Sequence, residues 1–312
     1  MLSLTEEDVR RALDPVQLIS AIEAAFRDRY PSIVLPERTI VPNATGIFLS
    51  MSCYDRSANA FGLKLVQVRD RSLPDIPGGR VQATYLLLDP ETAQPRLTVS
   101  ANYLTDLRTA ATSAVATSLL ASPDASTLGI FGTGRLARAH LRVIPLVRTI
   151  RRVLVCGSDP SRSKSFADQT RFENPALTIE AADPHACAIE SDVLCCCTSS
   201  PSPLFDGRDL RPGTHLNLVG AFQPHTRESD THTIQNARVV VDTYESVQSE
   251  MGDLVIPMKE GAISSDHVIA NLHELVGGKK KGRTAPEEIT LFKSVGCALE
   301  DMVAAELLLA TR

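Results

Sequence analysis

The run LGIFGTGRLARAH, residues 128–140, decides the fold. Leu128, Gly129, Ile130 and Phe131 read as the end of a buried parallel strand. Gly132 and Gly134 break that pattern. From Arg135 onward, Leu136, Ala139, Val143, Leu146 and Val147 fall on roughly one helical face. Strand, glycine turn and helix is the geometry that holds a dinucleotide pyrophosphate. Gly132 permits the tight turn, Gly134 lets the main chain approach the phosphates, and Ala137 lets the helix pack close to the sheet. Free N–H groups at the helix start favour an anion there. The same spelling also fits an ordinary glycine-rich turn, so the surrounding pattern has to decide.

Downstream, strands and helices alternate. Strands are expected at 152–155, 177–180, 192–198, 215–220 and 238–242, with helices at 161–172 and 184–189. Such alternation is the doubly wound parallel sheet of a Rossmann fold, with right-handed crossovers. The glycine turn then follows the first strand of an α/β domain and reads as a dinucleotide site.

Upstream the pattern differs. Thr5 caps a helix with Glu6, Glu7 and Asp8 in its first turn, and Asp14-Pro15 restarts it. Val16, Ile19, Ile22, Ala25 and Phe26 form its apolar stripe. Runs at 38–41, 46–51, 61–66 and 83–89, divided by Pro, Asn and Gly, read as a mixed or antiparallel sheet. Such a sheet has little helical cover, which points to a dimer partner. Residues 104–120 are helical, with Thr105 as a candidate cap. Their Ala, Ser and Thr content implies close packing. Ser122-Pro123-Asp124 marks a boundary, and 287–312 reads as helix, with Ile289, Phe292, Val295, Leu299, Met302, Val303 and Leu307 on the apolar spacing. The fold class is α/β, a Rossmann sheet plus a second α+β domain. The expected domains are 1–121 with 287–312, and 122–286.

Composition narrows the function. The chain has 312 residues, 43% hydrophobic and 22% charged, with net charge -5. This is ordinary for a soluble globular protein and gives no reason to expect nucleic acid. Lys279-Lys280-Lys281 with Arg283 reads as a solvated loop. No apolar run approaches the roughly 20 residues that span a bilayer, and the acidic start is not a signal peptide. The seven cysteines include no C-x-x-C pair. Adjacent Cys195, Cys196 and Cys197 point to alternate faces of a strand, which suits small buried hydrophobes better than metal ligands. No metal is expected, and the cytoplasm is the expected compartment.

Four charges outside the glycine turn need explaining. Lys64, in FGLKLV, faces either solvent or a cleft, and the strand pattern alone favours solvent. Arg108 sits on the small-residue helix, where pairing with Asp106 or Glu91 is the plain role. Arg38 reads as a loop arginine. Asp230 follows the fifth strand at the carboxyl end of the parallel sheet, where ligands bind. Capping a helix over 231–237 is its competing role.

These pieces, in this order, resemble the ornithine cyclodeaminase/mu-crystallin family. The resemblance is carried by Gly62-Leu63-Lys64, LTDLRTAA at 104–111, Gly132-Thr133-Gly134, Thr198-Ser199-Ser200, Val219-Gly220-Ala221, Arg227-Glu228-Ser229-Asp230, EITLFKSVG at 288–296 and Glu300-Asp301. It implies an NAD(P)-dependent enzyme acting at the Cα–N bond of an amino acid or its imine. The N-terminal part and final helix would form the substrate and dimerisation domain of a homodimer. Arg38 and Arg108 would grip the substrate carboxylate. Lys64 would bind at the carboxylate or substrate nitrogen, and Asp230 would be the general acid/base. Gly132, Thr133, Gly134, Arg135 and Leu136 would hold the pyrophosphate. Thr198 and Gly220 would line the nicotinamide side, and Ser294 and Val295 would touch cofactor and substrate. Two activities fit, ornithine cyclodeamination to proline with loss of ammonia, or reduction of a cyclic or acyclic imine. A non-catalytic NAD(P)H-binding protein that stores a ligand is the alternative.

Three departures bear on specificity. Gly157 stands where an acid usually meets the ribose hydroxyls, and Asp159 follows two residues on. Ser158 and Arg162 suit a 2′-phosphate, which favours NADPH. Met51-Ser52-Cys53 replaces the family's frequent Met-Pro. Arg69-Asp70-Arg71 stands where many members have a smaller or amide-bearing loop. The last two weigh against ornithine itself.

Overall fold

The computed structural model describes residues 1–70, 72–74 and 76–311; Arg71, part of the loop just noted, lies outside them. The chain divides into two compact units, Met1–Thr109 with Cys297–Arg312, and Ala110–Gly296.

The first unit opens with β1 (Leu2–Leu4), α1 (Glu6–Ala12) and α2 (Pro15–Ala24). Thr5 and Asp8 form a reciprocal capping box, and the Asp14 carboxylate accepts from the Gln17 N–H at 2.8 Å. The buried stripe is Leu18, Ile19, Ile22, Ala25 and Phe26. Val16 was expected in it but is 54% exposed. Leu18, one turn before Ile22, takes the inward face, and two residues of helix carry Val16 to the opposite side. The strands are β2 (Ile33–Val34), β3 (Thr39–Asn43), β4 (Gly46–Asp55), β5 (Ala60–Arg69), β6 (Val81–Leu88) and β7 (Pro95–Ser100). Their order is β1-β7-β6-β5-β4-β2, with β3 also on β4. All pairs are antiparallel except β1 with β7. Helix α3 (Asn102–Leu120) begins ahead of Thr105, which is therefore not its cap. Glu6 takes that role, accepting from the Asn102 and Tyr103 N–H groups at 2.7 and 2.9 Å.

The second unit runs β8 (Thr127–Phe131), α4 (Arg135–Val143), β9 (Arg152–Cys156), α5 (Pro160–Glu173), β10 (Thr178–Ala181), α6 (Pro184–Glu190), β11 (Val193–Cys196), β12 (His215–Leu218), α7 (Thr231–Asn236), β13 (Ala237–Val241), α8 (Gly252–Lys259), β14 (Val268–Asn271), α9 (Leu272–Val276) and β15 (Ile289–Lys293). Every pair is parallel, in the order β10-β9-β8-β11-β12-β15-β13-β14. The chain winds outward one way from β8 through β9 and β10, then returns to place β11 on the other side of β8. This reversal is the topological switch point of a doubly wound sheet. Phe131, Leu154, Cys196, Leu216, Val239 and Leu291 belong to its core. Helix α4 stops at Val143 because Pro145 forces a 3₁₀ turn, which leaves Leu146 46% exposed, off the expected stripe.

Residues 287–312 are not one helix. Strand β15 lies in the interior of the parallel sheet, and α10 (Ala298–Ala310) returns to the first unit. A short run buried on both faces carries no period of its own, so its apolar residues fitted a helix equally well. Gly296, at φ +78, makes the turn between them. The division between units accordingly falls inside α3 and after Gly296, not at 121/122 and 286/287. Among the described residues no helix is long and apolar enough to cross a membrane.

Candidate active site

In the second unit, the glycine turn after β8 is built for a close visitor. Gly132 has φ +118, and a Cβ there would stand 2.7 Å from the Cys197 carbonyl on the loop after β11. Gly134 is the N-cap of α4. No side chain caps this helix, and a Cβ on Gly134 would meet nothing within 4 Å. Thr133, Arg135 and Leu136 are half-buried around it. An uncapped helix start, an open glycine and the switch point together fit a dinucleotide pyrophosphate.

After β9, Gly157 donates its N–H to Ser163 Oγ at 2.8 Å. A Cβ on Gly157 would lie 3.0 Å from Thr133 Cγ2 and 3.2 Å from Ser163 Oγ, so an acidic side chain would have to displace a neighbour. Asp159 is the N-cap of α5, accepting from the Ser161 N–H at 2.8 Å. Ser158, Asp159 and Arg162 are exposed.

The loops after β11, β12 and β15 carry Thr198, Gly220, Ser294 and Val295, and buried carboxylates hold them. One oxygen of Asp242 accepts from Ser294 Oγ and from the Val295 and Gly296 N–H groups, each at 2.8 Å. Glu228, fully buried, accepts from the N–H groups of Thr198 and Gly220, both at 2.7 Å. Burial pushes the Glu228 carboxyl up to about 7 against the pull of Lys293. Lys293 is itself buried and pairs with Asp253 at 2.8 Å.

Asp230 fills the helix-capping role that competes with acid/base chemistry at this position. Its Oδ1 accepts from the Thr233 N–H and hydroxyl, both at 2.7 Å, and its Oδ2 accepts from the Gly207 N–H at 2.9 Å. It is the N-cap of α7, and the capping role is the one this geometry serves. Asparagine caps as well as aspartate, so Asp230→Asn loses only the acceptor for the Gly207 N–H and is expected to cost about 1 kcal/mol of stability. Turnover per folded molecule should stay within about threefold of wild type, which is under 1 kcal/mol. Paired thermal melts and steady-state rates check this; a well-folded, inactive variant would return Asp230 to the chemistry.

In the first unit, Lys64 and Tyr85 are register partners on β5 and β6. Lys64 does not face solvent: it is 1% exposed. Its Nζ lies 2.9 and 2.7 Å from the two carboxylate oxygens of Asp301 on α10. Arg108, on α3, is also buried. It pairs with Glu300 and, through Nε, with Asp301 at 3.0 Å. Two cations and two anions thus balance in a buried cluster, as burial of charge requires. Burial and the neighbouring Arg108 guanidinium lower Lys64 to about 8, against the pull of Asp301. Tyr85 is fully buried, and its hydroxyl has no hydrogen-bond partner among the described residues. That hydroxyl occupies the space above Gly62, 1.9 Å from where a Cβ would stand. Arg38 is half-buried in the loop between β2 and β3. Glu300, Asp301, Lys293 and Glu228 all lie inside the segments that carry the family resemblance, but their own chemistry was not read from them. Tyr85, Asp242 and Asp253 left no signal in sequence.

The family model described as ornithine cyclodeaminase/mu-crystallin matches residues 1–310. A Δ1-pyrroline-2-carboxylate reductase of Bacillus cereus is 35% identical over 99% of this chain and 95% of its own. The solved Δ1-pyrroline-2-carboxylate reductase of Thermococcus litoralis, in complex with NADH and L-proline, is 36% identical with TM-score 0.93, covering 100% of this chain and 97% of that one. An archaeal alanine dehydrogenase dimer with bound NAD is 28% identical with TM-score 0.90, covering 100% and 95%. This chain belongs to the ornithine cyclodeaminase/mu-crystallin family and is an NAD(P)-dependent oxidoreductase of that family.

Proposed function

We propose that the protein reduces five-membered cyclic imino acids, with Δ1-pyrroline-2-carboxylate as reference substrate and L-proline as product. The observation that carries this reading is the likeness over both full chains to the Thermococcus litoralis reductase, solved with L-proline. The buried cations of the first unit suit such a substrate. Arg108 offers a planar fork for a carboxylate, with Arg38 as the second grip. Lys64, lowered to about 8, is charged at neutral pH yet acidic enough to release its proton to the nitrogen. It, and not Asp230, is the proton donor in this reading. Val295 is assigned to substrate contact on the family resemblance alone.

The cofactor is assigned to Gly132, Thr133, Gly134, Arg135 and Leu136 at the pyrophosphate, Ser158, Asp159 and Arg162 at the ribose, and Thr198, Gly220 and Ser294 at the nicotinamide. When bound, the reduced nicotinamide supplies the hydride. NADPH is the proposed preference. Gly157 brings no carboxylate to repel a 2′-phosphate, Asp159 is engaged as a cap, and Arg162 is exposed beside them. The expected result is kcat/KM at least about tenfold higher for NADPH, with Arg162→Ala erasing the difference, as loss of one charge-assisted contact would. A tenfold preference for NADH would overturn it.

Ile40 and Val41 on β3, 52% and 51% exposed, and Phe48 on β4 suit a homodimer interface. Sedimentation at assay concentration checks it, a monomer being the contrary result. The cytoplasm is the proposed compartment, since six of the seven cysteines are buried thiols and none is bridged. Extraction of a structural disulfide from the native protein would argue otherwise.

Parallel assays test the reaction. Reduced nicotinamide should be consumed with Δ1-pyrroline-2-carboxylate. L-Ornithine with catalytic NAD⁺ should release no ammonia, and ammonia release matching that consumption would favour cyclodeamination.

A further inference from the structure

The carboxylate at residue 228 has four donors converging on it. Glu228 Oε1 accepts from the Thr198 N–H at 2.7 Å and the Thr198 hydroxyl at 2.8 Å. Oε2 accepts from the Gly220 and Ala221 N–H groups at 2.7 and 3.2 Å. Thr198 follows β11, while Gly220 and Ala221 follow β12. One side chain therefore ties two turns that leave neighbouring strands at the carboxyl end of the sheet. The turns are in intimate contact: a Cβ on Gly220 would stand 1.8 Å from the Thr198 carbonyl oxygen.

The tie is itself anchored. Asp253 Oδ1 accepts from the Glu228 and Ser229 N–H groups at 2.8 and 2.9 Å and from Ser229 Oγ at 3.0 Å. Lys293 Nζ bridges the Asp253 carboxylate at 2.8 Å and the Ala221 carbonyl at 2.6 Å. The Ala221 residue is thus held at its N–H by Glu228 and at its carbonyl by Lys293. All three charged groups are buried.

We propose that Glu228 is a positioning residue for the cofactor: its ionised carboxylate holds the Thr198 and Gly220–Ala221 turns in the one arrangement that receives the nicotinamide. This rests on the assignment of Thr198 and Gly220 to that half of the cofactor. Only an ionised carboxylate serves. Two oxygens, each with lone pairs, meet four donors and need no hydrogen of their own. Protonation, or an amide, turns one oxygen into a donor aimed at other donors, and at least one turn is released.

A pH dependence follows. The groups facing Glu228 are Lys293 at the end of β15, Asp253 on α8 and the Cys196 thiol at the end of β11. Lys293 favours the ionised form, while burial and Asp253 oppose it, bringing the group up to about 7. The turns are therefore held above about pH 7 and loosen below it. Lys64 lies in the other unit and acts at the alkaline end, so the two limbs of a pH profile belong to different groups.

The test measures binding of NADH to the whole protein by nicotinamide fluorescence, without substrate. NADH is the probe because it lacks the titrating 2′-phosphate. Wild-type Kd is expected to rise about five- to tenfold between pH 8 and pH 6, tenfold being the ceiling for one group titrating near 7. Glu228→Gln should bind about tenfold or more weakly at pH 8, with this acid limb absent and with folding verified by circular dichroism. Glu228→Gln that binds as wild type and keeps the limb overturns the proposal. So does a wild-type Kd that is flat over this range, a measurement that needs no variant to fold. Because turnover is not read, failure here is separate from failure of the imine-reductase reading.

Discussion

Lys64→Met is expected to lower kcat on Δ1-pyrroline-2-carboxylate by about 10²- to 10⁴-fold, the range for loss of a positioned general acid. Methionine keeps most of the volume in the slot between β5 and α10 but removes the proton and the charge. The Kd for NAD(P)H should stay within a few-fold, because the residues proposed to hold the cofactor lie in the other unit. Asp301 keeps the Arg108 Nε at 3.0 Å, so the cluster loses one cation and not all cover for the carboxylate. A stability loss of up to about 3–5 kcal/mol is expected on breaking the buried pair. Activity per folded molecule is therefore the quantity to read. The wild-type pH profile gives a second view. Lys64 sits at about 8 when folded, against an ordinary value of 10.5. Reductase kcat should fall as pH rises through about 8, as the proton to be donated is lost. Stability has the opposite sign. Between about 8 and 10.5 the unfolded chain binds more protons at this group, so its contribution to stability rises with pH across that window. A Lys64→Met protein with near wild-type kcat would remove Lys64 from the chemistry.

Gly132→Val carries the second large effect. The position has φ +118, which side-chain-bearing residues rarely adopt, and any Cβ would press on the Cys197 carbonyl at 2.7 Å. Strain of this kind costs about 1–3 kcal/mol, and relief would displace the turn from the phosphates. Affinity for NAD(P)H is expected to fall about 5- to 150-fold, the fold-change that matches a strain of this size. Gly134→Ala is the contrast. Its Cβ meets nothing within 4 Å in the protein. Fold stability should stay near wild type, while affinity falls because the methyl group stands where the main chain should approach the phosphates. Fluorescence titration beside thermal melts separates the two cases. Equal loss of stability in both variants would contradict the cradle geometry.

Local signals in the sequence led to the right local structures. The cap residues Thr5 and Asp14 act through neighbours three positions away, and the glycine turn lies within one strand–helix unit. Alternation of strands and helices indicated the parallel sheet. What was lost depends on distance along the chain. The partners of Lys64 and Arg108 are 237 and 192 residues away on α10, so neither burial nor pairing was visible from FGLKLV or LTDLRTAA. The insertion of β15 between β12 and β13 is a topological fact, and its buried apolar run has no telling period. Asp230 and Glu228 stand two residues apart at the same end of the sheet. Their roles separated only when each carboxylate could be followed to its donors, a capped helix for one and two tied turns for the other.

The central claim is that hydride passes to the Cα of an imino acid. Its most direct measurement is turnover of Δ1-pyrroline-2-carboxylate with reduced nicotinamide deuterated at both C4 positions. The account predicts L-proline with one deuterium at Cα for each cofactor oxidised. Proline without deuterium, or no consumption of a cofactor that demonstrably binds, would contradict it.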